Sequence, residues 1–309
     1  MFQFIYNQCL RGGRMRRRGF RLLRKLLLKA GNPTVRIEYF GRALEVPFNS
    51  DLAIHTADHP TYNSNLRRLC RFVRGEHGAL RMVDVGANIG DGAVLAEAEP
   101  KDALLLVEGF PAFVAILKRN LTHQPQVELA ECYLSDRPAD IQVAEVESNA
   151  TNRLVVGNGR TVQMQTLDAV IEGHPRIRPV GLLKVDVDGF DGRVLAGGRD
   201  TLKSDQPVIL FEFHPSLWSR ANERFDTVLP MLRELGYGPV VVYDNQGVLL
   251  MRAHLSDKAL IHSLTRYARI RDFFYFDLAV FPESGAASAD RFLACEETFF
   301  NQLPDGVSS

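Results

Sequence analysis

From Met82 the chain reads Met82-Val83-Asp84-Val85-Gly86-Ala87-Asn88-Ile89-Gly90-Asp91-Gly92: an apolar strand, a tight glycine turn and a helix start. Glycine there lets the backbone approach a ligand with no Cβ in the way. The turn is not the dinucleotide fingerprint, because Asn88 stands where GxGxxG needs its second glycine to seat a pyrophosphate against the helix. No GxxxxGK(S/T) loop for nucleoside triphosphates occurs either. A zwitterionic amino-acid tail fits better. Its carboxylate would take backbone N–H groups, while an acid such as Asp84 meets its ammonium.

Strands and helices alternate after this point in the manner of a parallel sheet. Strands are expected at Arg81–Val85, Ala103–Val107, Val127–Tyr133, Val180–Val185, Val208–Phe213 and Pro239–Tyr243, with a last run at Phe273–Phe281. Helices are expected near 90–98, 112–121, 191–202 and 223–235. Residues 140–170 interrupt the alternation and read as added strands and a short helix. Residues 1–75 form a preface: a basic helix from Arg14 to Ala30, a hairpin of Val35–Phe40 and Ala43–Val46 turning at Gly41-Arg42, and a helix from Tyr62 to Arg74 with Leu66, Leu69, Cys70 and Val73 on one face. The main domain spans 76–285. Residues 286–309 read as a polar tail whose Phe292, Phe299 and Phe300 are able to dock back.

Basic and acidic residues balance at 37 each, but unevenly along the chain. Ten basic residues precede the first acid, Glu38, leaving 27 basic against 37 acidic residues behind them. The preface arm, residues 11–29, has three open readings: contact with anionic lipid or lipid-linked glycan, packing or homo-oligomer formation, and nucleic acid, the last disfavoured because no aromatic-interleaved basic surface accompanies it. Cys9, Cys70, Cys132 and Cys295 fall in no CxxC or Cys/His pattern, so they read as reduced thiols. No apolar run is long enough to span a bilayer. The expected location is cytoplasmic, with the inner face of the membrane as an option for the arm.

Leu105-Leu106-Val107-Glu108 ends a second strand in an acid able to accept both hydroxyls of a ribose, and Ser135-Asp136 follows a third strand where an adenine edge would lie. At the far end of the fourth strand stand Lys184, Asp186 and Asp188; Glu212 and His214 end the fifth. Alternation along a strand turns each of these sets to one side. His214, with an ordinary pKa near neutrality, is the first candidate for a general base and Asp186 the second. The carboxylates are also a candidate Mg²⁺ set, although their spacing does not demand a metal.

In VDVGANIGDGAVLA (83–96), LLLVEGFPAFVAILKRNL (104–121), YLSD (133–136), VQMQTLDAVI (162–171), LLKVDVDGFDGRVLAGG (182–198) and PVILFEFHP (207–215), the chain resembles the FkbM-type methyltransferases. The resemblance implies a class I, Rossmann-like α/β fold, with a mostly parallel seven-stranded sheet and helices on both faces. It implies S-adenosylmethionine as cofactor, held by Asp84, Gly86, Asn88, Gly90, Glu108, Ser135, Asp136 and Asp186. Lys184, Asp186, Glu212 and His214 fall on its catalytic face, and its acceptors are mainly hydroxyls of sugars and secondary metabolites, which brings in polysaccharide assembly. Two departures stand out. Glu108 is followed by Gly109 rather than by the usual proline, and the common Asp-x-Glu-Gly is Asp186-Val187-Asp188-Gly189. The alternative is a non-catalytic module of the same fold, favoured only if the acidic face at 186–214 is closed to solvent.

Overall fold

A computed structural model describes residues 1–122, 124–148, 151–156, 159–220, 225–271 and 274–303. Helices α1 (Phe2–Leu10) and α2 (Arg14–Leu27), the hairpin β1 (Thr34–Tyr39) and β2 (Arg42–Pro47), and helices α3 (Leu52–Asp58) and α4 (Ser64–His77) precede the main sheet. The sheet begins with β3 (Arg81–Val85), α5 (Asp91–Ala96), β4 (Ala103–Val107), α6 (Pro111–Asn120) and β5 (Val127–Ala130). A small second sheet follows, of β6 (Tyr133–Leu134), β7 (Ala139–Ser148), β8 (Thr151–Val156) and β9 (Arg160–Gln165), and leads into α7 (Leu167–Glu172). The main sheet resumes with β10 (Leu182–Val185), α8 (Asp191–Ala196), α9 (Arg199–Ser204), β11 (Val208–Phe213), α10 (Pro215–Arg220), α11 (Phe225–Glu234) and β12 (Tyr237–Asp244). The chain closes with β13 (Leu249–His254), α12 (Lys258–Ile270), β14 (Phe276–Pro282) and α13 (Ala286–Asn301).

The strand order is β13-β12-β14-β11-β10-β3-β4-β5. From β5 to β11 neighbouring strands are parallel, and β14 lies antiparallel between β11 and β12. The sheet therefore has the class I methyltransferase pattern with eight strands where seven were expected. The additional strand, β13, pairs only with β12 at the edge, and of its residues only Ala253 is buried. Such a strand carries no apolar alternation to announce it. From β3 the chain builds outward to β4 and β5, then returns to lay β10 on the other flank of β3. Crevices for ligands form at a reversal of this kind, outside the carboxyl ends of the strands.

Two apolar layers flank the sheet. Val83, Val85, Leu183, Val185, Ile209 and Phe211 pack beneath α7–α12, whereas Met82, Leu104, Leu106 and Leu182 face the preface and α13. Three local expectations shift. The hairpin turns at Phe40-Gly41 rather than Gly41-Arg42, since both turn residues have positive φ (46° and 79°), as a two-residue type I′ turn requires. The helix expected over 191–202 breaks at Gly197-Gly198, where a Cβ would lie 2.2 Å from the Ser135 carbonyl oxygen and 2.7 Å from the Leu167 side chain, respectively. Residues 286–301, read as tail, form α13: Phe292 is buried, and Glu296 is gripped by Arg68 of α4 at 2.6 Å.

Candidate active site

The preface face of the sheet carries a row of polar side chains near the carboxyl ends of the parallel strands. Asp84 on β3 is in register with Lys184 on β10, and Glu212 on β11 with Asp277 on β14. Lys184 Nζ lies 3.0 Å from Asp84 Oδ1 and 3.4 Å from Asp186 Oδ2. Burial alone would strip the proton from Lys184, but Asp84, Asp186 and Asp91 outweigh it and hold the ammonium firmly charged. Asp84 is itself fully buried, and its second oxygen, Oδ2, has no hydrogen-bond partner among the described residues. Gly92 lies against that oxygen so closely that a Cβ would come within 2.0 Å of it.

A cavity of about 480 Å³ opens over this row. Its floor includes Gly86, Asn88, Asp91, Lys184, Asp186, Asp188 and Glu212. Asp277 belongs to this floor beside Glu212, Tyr275 borders it, and the opposite wall comes from the preface, with Ser50, Asp51, His55, Tyr62 and Asn65. Asn65 Nδ2 donates to Asp277 Oδ2 at 2.9 Å, and Tyr62 and Tyr275 both line the cavity beside this pair. Burial pushes Asp91 up to about 6 and Asp277 up to about 7. Burial, reinforced by Asp186 and Asp188, drives the Glu212 carboxyl well above the ordinary range. The Asp186 side chain is 46% exposed, so the acidic face reaches solvent.

The glycine turn is built by left-handed backbone at Gly86, Asn88 and Gly90, with φ of 79°, 47° and 88°. At Gly86 the turn runs against the loop after β10, where a Cβ would meet the Asp186 carbonyl oxygen at 1.9 Å. Asp191 fixes that second loop: it accepts from Val187 N at 3.3 Å, Gly189 N at 3.1 Å and Trp218 Nε1 at 3.2 Å. Glu108, at the end of β4, accepts from Asn88 N at 2.8 Å and Phe110 N at 2.7 Å. Burial raises its carboxyl to about 7 despite these donors.

Gly109 explains the departure from Glu-Pro. The Tyr133 ring packs over it, and a Cβ at 109 would lie 2.5 Å from that ring. Ser135 Oγ donates to Asp136 Oδ1 at 2.9 Å on the same flank. Asp84 is buried against Lys184 and Gly90 lies in the turn outside the lining; the other sequence-predicted residues, His214 apart, fall in two groups. Gly86, Asn88, Lys184, Asp186 and Glu212 line the cavity; Glu108, Ser135 and Asp136 lie beyond the glycine turn, toward β4 and β6.

His214 is not among the lining residues. It is 2% exposed, stacked on Tyr275 with ring centroids 5.9 Å apart, and its Nδ1 accepts from Leu217 N at 3.4 Å. Strand alternation stops at Phe213, because His214-Pro215 already opens α10, whose Leu217 and Trp218 amides donate to the His214 carbonyl. Tyr62, Asn65, Asp91, Tyr275 and Asp277 were missed by motif reading. Asp277, a carboxylate inside an otherwise apolar strand, was the one signal in the sequence.

The Methyltransferase FkbM domain family model matches residues 84–239, just over half of the chain. The chain belongs to the FkbM methyltransferase family. The matched span runs from the buried Asp84 through the glycine turn, Glu108 and the Asp186–Asp191 loop into β12. Membership implies S-adenosylmethionine as methyl donor for the FkbM domain. The residues present fit such a group, since the turn exposes its backbone to the cavity and each Glu108 oxygen retains a lone pair beyond its backbone donor.

The crystal structure of an FkbM methyltransferase from Methylobacillus flagellatus KT aligns with a TM-score of 0.35 at 15% identity, covering 50% of this chain and 37% of that one. The tRNA (uracil-54, C5)-methyltransferase of Pyrococcus abyssi, in complex with S-adenosyl-L-homocysteine, aligns with a TM-score of 0.39 at 13% identity, covering 81% and 45%. A putative O-methyltransferase from Klebsiella pneumoniae gives 0.35 at 11% identity, covering 70% and 80%. No curated protein matches. Among the described residues, no three His, Cys, Asp or Glu side chains are arranged to hold a metal ion, and no helix is long and apolar enough to cross a membrane.

Proposed function

We propose that the chain transfers a methyl group from S-adenosylmethionine to a hydroxyl of a sugar or another hydroxyl-rich small molecule. The observation that carries this reading is the composition of the cavity. It combines carboxylates and Lys184 at the strand ends with a preface wall of Ser50, Asp51, His55, Tyr62 and Asn65, a lining suited to a polar acceptor with many hydroxyls. When bound, S-adenosylmethionine supplies a methyl group on a sulfonium, open to in-line attack.

The protein's task is then alignment and proton handling. Asp186, solvent-accessible and paired with Lys184, is the group best situated to accept the proton of an attacking hydroxyl. Glu212, half-buried on the cavity floor with its carboxyl pushed well above the ordinary range by desolvation and by Asp186, stands where it would meet another hydroxyl of the acceptor. The non-catalytic alternative loses its main support, because Asp186 is not closed off from solvent.

The test combines calorimetry with a methyl-transfer screen against sugars, glycosides and nucleotide sugars. Asp186→Asn should lower turnover at saturating cofactor by about 10²–10⁴-fold. Glu108→Ala should weaken cofactor binding itself. Methylation confined to nitrogen or carbon acceptors would overturn the hydroxyl assignment.

A further inference from the structure

A surface helix ordinarily turns its apolar stripe inward and its charges to water. Helix α2 departs from this: Phe20 and Leu27 do pack against the core, but a row of arginines turns inward beside them and a second apolar row turns out. Arg24, only 4% exposed, donates to the Phe48 carbonyl at 2.9 Å and the Ser50 carbonyl at 2.8 Å, and pairs with Asp51. Arg17 and Arg21 both grip Asp58 of α3, at 3.0 and 2.7 Å. The opposite face presents Met15 at 89% exposure, Leu22 at 65% and Leu26 at 64%. Intervals of seven and four residues put these three on one stripe of the helix. Arg14, Arg18, Lys25 and Lys29 are also exposed, and none of them pairs with an acidic side chain among the described residues.

We propose that this outer face of α2 docks onto an anionic lipid surface. Three exposed apolar side chains, a methionine and two leucines, bordered by cations with no acidic partner among the described residues, match the acyl boundary and the headgroups of an anionic leaflet together. No acid occurs before Glu38 to oppose that charge locally. Pairing with a second copy through the same face would set these cations against each other, and a nucleic acid has no use for the apolar stripe. The inner face gives docking a mechanical link to the rest of the molecule. Ser50 and Asp51, held by Arg24, also line the cavity, so the helix that would meet the lipid supports one of its walls.

The experiment is co-sedimentation of the full chain with vesicles of phosphatidylcholine alone or mixed with phosphatidylglycerol, alongside light scattering without lipid. Binding to the mixed vesicles, weakened by salt, is expected, with little binding to phosphatidylcholine alone. Leu22→Glu/Leu26→Glu should reduce it by about tenfold or more. Arg18→Ala and Lys25→Ala, which leave the leucines intact, should each cost about fivefold. All these positions face outward, so far-UV circular dichroism and thermal melts should match the parent. Equal binding to neutral vesicles, binding indifferent to these substitutions, or self-association abolished by Leu22→Glu/Leu26→Glu without vesicle binding would each overturn the proposal.

Discussion

Lys184 Nζ lies 3.0 Å from Asp84 Oδ1, across two strands in register, with Met82 and Leu182 packed two residues earlier on the same face. A buried pair of this kind is costly to break from one side, because the surviving charge stays out of water without a partner. Lys184→Met should therefore destabilise the fold by about 3–5 kcal/mol. Adding Asp84→Asn should recover part of the loss. Urea denaturation midpoints of the two single variants and the double variant measure the coupling.

Gly109 and Tyr133 form a second dependent pair. Gly109→Ala forces a Cβ into the tyrosine ring and should cost about 1–3 kcal/mol, as overpacking does. The same change in a Tyr133→Ala background should cost close to nothing, since the obstacle is gone. A full cost in both backgrounds, read by thermal unfolding, would show that the ring is not what excludes a side chain at 109.

Stability should depend on pH through the buried acids. Asp91, Glu108, Asp191 and Asp277 titrate near 6 to 7 in the fold, against ordinary values near 4. Between those limits the folded chain binds more protons than the unfolded one, so stability falls as pH rises. The contribution of these acids is fully present below about pH 4 and is lost on passing pH 6 to 7. Glu97, held near 2 by Arg67 and Arg71 against its burial, acts oppositely and loses its contribution as pH drops toward that value. In the cofactor-free protein the melting temperature should decline from pH 5 to pH 7.5, and Asp277→Asn should flatten that slope. An unchanged slope would remove Asp277 from the account.

Much of the sheet was legible because its strands are short apolar runs bounded by turns. Arg81–Val85, Ala103–Val107 and Val208–Phe213 coincide with their expected limits for that reason. The class I order was implied by the FkbM resemblance rather than by periodicity. Helices α1, α3, α10 and α12 were not anticipated: α1, α3 and α10 are short, whereas α12 does carry a local signal, the Asp257 side chain capping Leu260 N at 2.9 Å. In the site, the glycine turn and the Asp186–Asp188 loop were readable because backbone constraint leaves glycines and acids at fixed intervals. Tyr62, Asn65 and Tyr275 were not, since they approach from distant parts of the chain. His214 lies off the cavity because it belongs to the start of α10.

Asn120 donates to the Glu45 carbonyl at 2.9 Å and the Ile89 carbonyl at 2.8 Å, while the Glu45 amide donates back to it at 2.8 Å. The preface hairpin is thus stitched to the glycine turn by one amide side chain, beside the cavity that both help to enclose. Cavity-facing positions outside the core, such as His55 and Tyr62, can accordingly change and recast the far wall while the turn stays anchored from behind. A change of acceptor and conservation of donor would then be written in separate stretches of one gene.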